Sequence, residues 1–221
     1  MTESLSQAIE TLQRSRSMLE PVLASFEKRV AQFGADPRSA FWKDEEWQKR
    51  RYDILSRLFD EPDRLGGISI TDFGCGYGAF FDYLADRPVM KNSRYTGIDM
   101  SAAMIEEANA RIRDTRATFQ SHLIATETAD YTVVCGTYNM NLGANRDEWA
   151  DYVKASLEQL WSKTTKAMGF NMLRFNAPDQ YPGLYYADGM EFVKFCNETL
   201  SPDITYTDDR PLPDWTIIIR R

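Results

Sequence analysis

Residues 68–78, Ile-Ser-Ile-Thr-Asp-Phe-Gly-Cys-Gly-Tyr-Gly, leave this chain few ways to fold. Ile68, Ile70 and Phe73 read as a short buried strand. Three alternating glycines follow at once, and Ala79-Phe80-Phe81-Asp82-Tyr83-Leu84 opens a helix. A strand that runs through glycines into a helix brings bare backbone N–H groups up to a ligand that any Cβ would hold off. A second short strand, Tyr95-Thr96-Gly97-Ile98, ends in Asp99, 25 positions after Gly74. In a Rossmann-type βαβ unit an acid at that place meets the hydroxyls of a ribose.

The glycine spacing sorts the candidates. Dinucleotide folds use G-x-G-x-x-G, whereas this loop is G-x-G-x-G with Asp72 two residues before the first glycine. Asp-Phe-Gly-Cys-Gly-Tyr-Gly followed by Tyr-Thr-Gly-Ile-Asp-Met-Ser resembles the first two motifs of class I S-adenosylmethionine-dependent methyltransferases. The resemblance runs from about residue 68 to the C-terminus and is strongest over 68–108. It implies an α/β fold: a Rossmann-like three-layer sandwich with a seven-stranded, mostly parallel sheet, an antiparallel last strand and added N-terminal helices.

It also implies S-adenosylmethionine as cofactor. Gly74, Cys75, Gly76 and Gly78 would lie beside its amino-acid end, with Asp72 reaching the ammonium and Asp99 the ribose. Met100 follows where the family packs an apolar side chain on adenine. Many relatives hold the adenine amino group with an acid after the third strand; here Gln120, Ser121 or His122 stands instead, and His122 is equally suited to a structural role. Gly136 and Thr137, after the fourth strand, would touch the cofactor through backbone. An N-terminal lid helix would present Arg51 to the cofactor carboxylate, with Gln48 one turn away on the same face. The plainer alternatives are a tight turn for the glycines, a helix cap for Asp99 and a solvated charge run around Arg51.

At 221 residues the chain suits one compact unit with a sizeable core, divided into a helical extension over 1–60 and a sheet domain over 61–221. Net charge is −7 and the sequence pI about 4.9, so the overall field repels phosphate backbones and anionic lipid. The stretch Cys135-Gly136-Thr137-Tyr138-Asn139-Met140-Asn141 also lacks the Asp/Asn-Pro-Pro-Tyr/Phe signature of methyltransferases that act on DNA amines. No nucleic-acid substrate and no membrane partner are expected. Three scattered cysteines and one histidine offer no metal-ligand spacing and fit a reducing, cytoplasmic setting.

Along the N-terminal 33 residues, Leu5, Ile9, Leu12, Leu19, Leu23, Phe26, Val30 and Phe33 form a heptad-like stripe interrupted by Pro21. Two helices meeting near residues 19–21 are expected. The stripe either packs on its own domain, the favoured reading, or forms a homodimer seam. Asp44 is a candidate cap for the next helix. Further strands are expected at 118–124, 131–135 and 167–173. Helices are expected at 146–163 and, behind an Asp188…Glu191 capping box, to about residue 200. Residues 204–206 and 215–220 read as a closing antiparallel pair.

These features favour methyl transfer to a small-molecule acceptor, a saccharide precursor or other metabolite, by in-line displacement. Tyr138 and Asn139 are the candidates for positioning it, and the long connection 174–186, rich in aromatics and amides, could wrap it. Two alternatives compete: a nicotinamide-dependent oxidoreductase, which lacks its final glycine here, and a non-catalytic partner subunit.

Overall fold

The computed structural model describes residues 2–221 of the chain, with side chains described from residue 4 onward. The elements in order are α1 (Thr2–Arg14), α2 (Arg16–Phe33), α3 (Glu45–Leu55), β1 (Ser69–Phe73), α4 (Ala79–Ala85), β2 (Arg94–Asp99), α5 (Ala102–Arg111), β3 (Ala117–Ser121) and β4 (Ala129–Cys135). They continue with α6 (Arg146–Ser162), β5 (Thr164–Arg174), β6 (Tyr186–Ala187), α7 (Gly189–Thr199), β7 (Ile204–Asp208) and β8 (Asp214–Arg220).

The sheet order is β3-β2-β1-β4-β5-β8-β7. β1 to β5 are mutually parallel, and β8 runs antiparallel to both β5 and β7. The expected sheet with its reversed last strand is present. The two-residue β6, beside Leu173 and Arg174 of β5, is an addition that the sequence pattern did not announce. Continuous apolar runs explain the central strands: Tyr131, Val133 and Val134 of β4 and Ala167, Met168 and Phe170 of β5 are fully buried, as a parallel sheet covered on both faces demands.

Helices α3, α4 and α5 cover one face, where Leu55, Leu58, Phe80, Leu84 and Ala108 pack with Tyr131 and Val133. Helices α1, α6 and α7 cover the other, where Leu12, Trp149, Val153, Leu160 and Phe192 pack with Val134 and Phe170. Helix starts follow their capping chemistry. Asp44 accepts the Trp47 N–H at 2.8 Å and Ser101 that of Met104 at 3.3 Å. Asp188 accepts the Met190 N–H at 2.9 Å, but the reciprocal half of the expected box is absent because Glu191 pairs with Lys154 instead.

The N-terminal helices break at Ser15, not at 19–21. The Ser15 hydroxyl donates to the Thr11 carbonyl at 2.9 Å, a local bond that competes with regular helix, while Pro21 is carried within α2. Of the stripe, Leu12, Leu19 and Val30 are buried, joined by Ala8 and Val22, and Ile9 turns outward. α1 lies along α6 of the same chain, so the apolar face is used internally. α2 crosses toward α5, over the C-terminal ends of the first strands.

Candidate active site

The strand order reverses at β1, between β2 on one side and β4 on the other, and ligands in open α/β sheets lie outside the carboxyl ends of strands at such a point. A cleft of about 930 Å³, open mouth included, occupies that position. Its floor is the loop Phe73–Tyr77 and the ends of β2 and β4; its roof is Leu19, Val22 and Phe26 of α2.

Gly76 has φ +53°, and a Cβ added there would meet nothing nearer than the Met104 sulfur at 4.0 Å, so the missing side chain is open space. Its N–H donates to Asp99 Oδ2 at 2.9 Å, while Asp99 Oδ1 accepts the Ser101 N–H at 2.9 Å. Asp99 thus ties the glycine loop to the end of β2 and still lines the cleft, each carboxylate oxygen retaining a second lone pair. Burial pushes its carboxyl upward, opposed by those N–H donors.

Asp72, at 2% exposure, is more extreme. The Tyr95 hydroxyl donates to it, and no Lys or Arg pairs with it among the described residues. Burial, reinforced by the Asp99 charge, pushes its pKa up to about 7 against the hydrogen bond that lowers it. The cleft therefore contains an acid held in want of a cation.

Gly74, Cys75, Gln48, Met100, Gly136, Thr137 and His122 also line the cleft. Gln48 is buried beneath Tyr77, whose hydroxyl stands 3.5 Å from Gln48 Oε1. Thr137 donates to the Phe73 carbonyl at 2.9 Å and occupies the space a side chain on Gly74 would need. His122 is exposed at the rim, its backbone N–H bound to the Asp99 carbonyl at 3.0 Å.

Three expected residues lie elsewhere. Gly78 starts α4 facing Ile112 and Phe119, where a Cβ would come within 2.5 Å of Ile112 Cδ1; it serves packing of the loop, not the cleft surface. Tyr138 is fully buried in the core against α6, its hydroxyl 2.7 Å from that of Ser156, and it lines neither the cleft nor the neighbouring cavity. Arg51 is turned away from the cleft. Its guanidinium pairs with buried Asp214 at 2.5 Å, donates to the Trp47 carbonyl at 3.0 Å and stacks 4.8 Å from the Trp42 ring. A buried carboxylate from β8, invisible to local pattern, claims it.

Asn139 borders a second cavity of about 1300 Å³ counted to its open mouth. Trp42, Trp47, Phe41, Tyr181 and Tyr186 make its aromatic walls, and the connection 174–186 forms one side. Phe26, Ala40, Trp42 and Gly136 line both spaces, so cleft and cavity meet there. A Cβ on Gly136 would fall 2.6 Å from Trp42 Cη2, so only glycine lets the indole close against this turn. The Gly136 N–H donates to Asn171 Oδ1 at 2.8 Å, and Asn171 in turn reaches Asp214 at 3.3 Å. Arg51, Asp214 and Asn171 thereby brace the shared wall. The α2 roof and Tyr77, Trp149 and Tyr152 were not anticipated as site residues; helical periodicity assigns Leu19, Phe26 and Trp149 to a core, and the edges of all of these at the cleft follow from tertiary packing.

A family model described as a methyltransferase domain matches residues 70–163. Rv1506c of Mycobacterium tuberculosis, a protein bearing the name of a methyltransferase, is 33% identical over 157 residues, spanning 70% of this chain and 93% of that protein. Among solved structures, DhpI in its SAM–HEP complex superposes with a TM-score of 0.65 at 13% identity, over 94% of this chain and 99% of its own. The magnesium protoporphyrin IX methyltransferase ChlM of Synechocystis PCC 6803 with bound SAM gives 0.58 at 15% identity, over 80% and 79%; both likenesses concern the fold. With the glycine loop and two acids in place at the switch point of this sheet, the chain belongs to the class I S-adenosylmethionine-dependent methyltransferases.

Proposed function

We propose that the chain transfers the methyl group of S-adenosylmethionine to a small-molecule acceptor, the methyl donor lying in the cleft and the acceptor in the second cavity. The observation that carries this reading is the wall of Phe26, Ala40, Trp42 and Gly136 common to both spaces, which sets donor and acceptor side by side.

The residues of the cleft suit the donor. Asp72, buried and without a cation, fits its ammonium, and the open space over Gly76, with Gly74 and Cys75 beside it, admits its aminoacyl tail. Asp99 has lone pairs left for the ribose hydroxyls, Met100 and His122 flank the base, and Gln48, Thr137 and the Gly136 backbone close the sides. When bound, S-adenosylmethionine supplies a methyl carbon activated by its positive sulfur. The chain's own share is alignment and exclusion of water, worth at best about 7–11 kcal/mol on the scale of effective molarities.

A small acceptor is supported by the aromatic walls and by the net charge of −7, and ChlM carries a tetrapyrrole in its name. The test is calorimetry with S-adenosylhomocysteine, then incubation with tritium-methyl donor and an extract of the source organism, separated by ultrafiltration. Micromolar binding and label in the low-molecular-weight filtrate are expected. Absence of binding by folded protein refutes the cofactor cleft, and label confined to retained macromolecules refutes the small acceptor.

A further inference from the structure

Resting on that reading, we infer that the accepting atom is a carboxylate oxygen, held by the side-chain amide of Asn139, so that the product is a methyl ester. The orientation of this amide is determined by its partner. Asn139 Oδ1 accepts the Leu173 N–H at 3.0 Å, and a backbone N–H can only donate, so Nδ2 must face the other way. Nδ2 lies 3.5 Å from the position a Cβ on Gly136 would take, at the wall shared by cleft and cavity, and no acceptor engages it among the described residues. A fixed, unused N–H donor therefore sits at the crossing point.

The surroundings select what it serves. None of the four shared wall residues is titratable, so the wall itself offers no base for an alcohol, phenol or ammonium acceptor. Asp179, the carboxylate on the wall of the second cavity, lies on the exposed connection and is not part of the shared wall. An acceptor already ionised at neutral pH needs no base, and carboxylic acids meet that condition whereas phenols do not. Charge narrows it further. Of the cavity's cations, Arg51 is matched by Asp214 and Arg174 by Asp208, which leaves Lys43, over the Trp47 ring at 4.7 Å, as the side chain with no ion pair among the described residues. One uncommitted cation suits a singly charged carboxylate better than a doubly charged phosphate.

The step balances without a proton. One carboxylate oxygen accepts from Asn139 Nδ2; the other forms the bond to the methyl carbon as the carbon–sulfur bond breaks, its electron pair staying on sulfur. An anion and a sulfonium cation give two uncharged groups.

The product's chemistry provides the test. Protein is incubated with tritium-methyl S-adenosylmethionine and deproteinised extract, and the labelled filtrate is brought to mild alkali. A methyl ester releases its label as volatile methanol; an ether, a methylamine or a C-methyl group keeps it. Release of most of the label is expected. Alkali-stable label overturns the carboxylate while leaving methyl transfer intact, and no label despite S-adenosylhomocysteine binding removes the underlying reading and this one with it. Asn139→Asp, which sets a charge against the acceptor carboxylate, is expected to lower turnover by about 100-fold or more with S-adenosylhomocysteine affinity within two-fold of wild type. Lys43→Met is expected to raise the acceptor KM about ten-fold at unchanged kcat, with Lys43→Arg restoring it. Wild-type turnover in Asn139→Asp overturns the assignment.

Discussion

Replacing Asp72 by Asn separates what this carboxylate costs the fold from what it gives the site. The buried acid titrates at about 7 rather than 3.8, so the empty protein bears a penalty that starts near pH 4, grows by about 1.4 kcal/mol per pH unit and is complete above pH 7. Three units correspond to about 4 kcal/mol at pH 8, against about 1.6 kcal/mol at pH 5. The sign is that of an acid raised by burial: stability is highest while the group is protonated and falls as pH rises through the folded value. Asn keeps an oxygen for the Tyr95 hydroxyl but buries an amide N–H₂, which costs about 1–3 kcal/mol at any pH. The difference between variant and wild type in urea unfolding, measured without cofactor, should therefore move by about 3 kcal/mol in favour of the variant between pH 5 and pH 8.

Cofactor affinity should move oppositely. The ammonium binds the ionised acid, so wild-type affinity for S-adenosylhomocysteine should weaken by about ten-fold per pH unit below 7, while the variant binds weakly with no such slope. A stability difference that is the same at pH 5 and pH 8, or an Asn variant that binds cofactor like wild type, refutes the assignment of Asp72 as a charge awaiting its partner.

Gly76→Ala places a methyl group in the open cradle at φ +53°; calorimetry should show at least about ten-fold weaker cofactor binding, with about 1 kcal/mol lost in unfolding. Tyr138→Phe should leave turnover and KM unchanged, because its hydroxyl meets Ser156 in the core, and should lower stability by about 1 kcal/mol. Arg51→Met strands Asp214 in the core and should destabilise by about 3–5 kcal/mol by chemical denaturation, and adding Asp214→Leu should return most of that. Leu12→Ala, in the α1 face that packs on α6, should cost about 2–5 kcal/mol without changing the sedimentation coefficient; a shift there would restore the dimer seam.

Local chemistry alone carried much of this protein. The strand, glycine loop and following helix, and Asp99 at the end of β2, are readable because side-chain periodicity and the need for bare backbone act over neighbouring residues. The mostly parallel sheet, the reversal of β8 and the caps at Asp44 and Ser101 come from the same short-range rules joined to the family resemblance. Tertiary structure decided what depends on partners distant in sequence. Arg51 was captured by Asp214, 163 positions away, and its place at the cofactor was lost to that ion pair. Tyr138 and Asn139 are adjacent, yet one is sealed in the core and the other borders the second cavity, since the turn after β4 turns their side chains apart. Gly78 looked like its two companions until Ile112 and Phe119 filled its surroundings. Spacing specifies which backbone can approach a ligand, but which side chain is free to face it is settled only when every buried charge and cavity has found its neighbour.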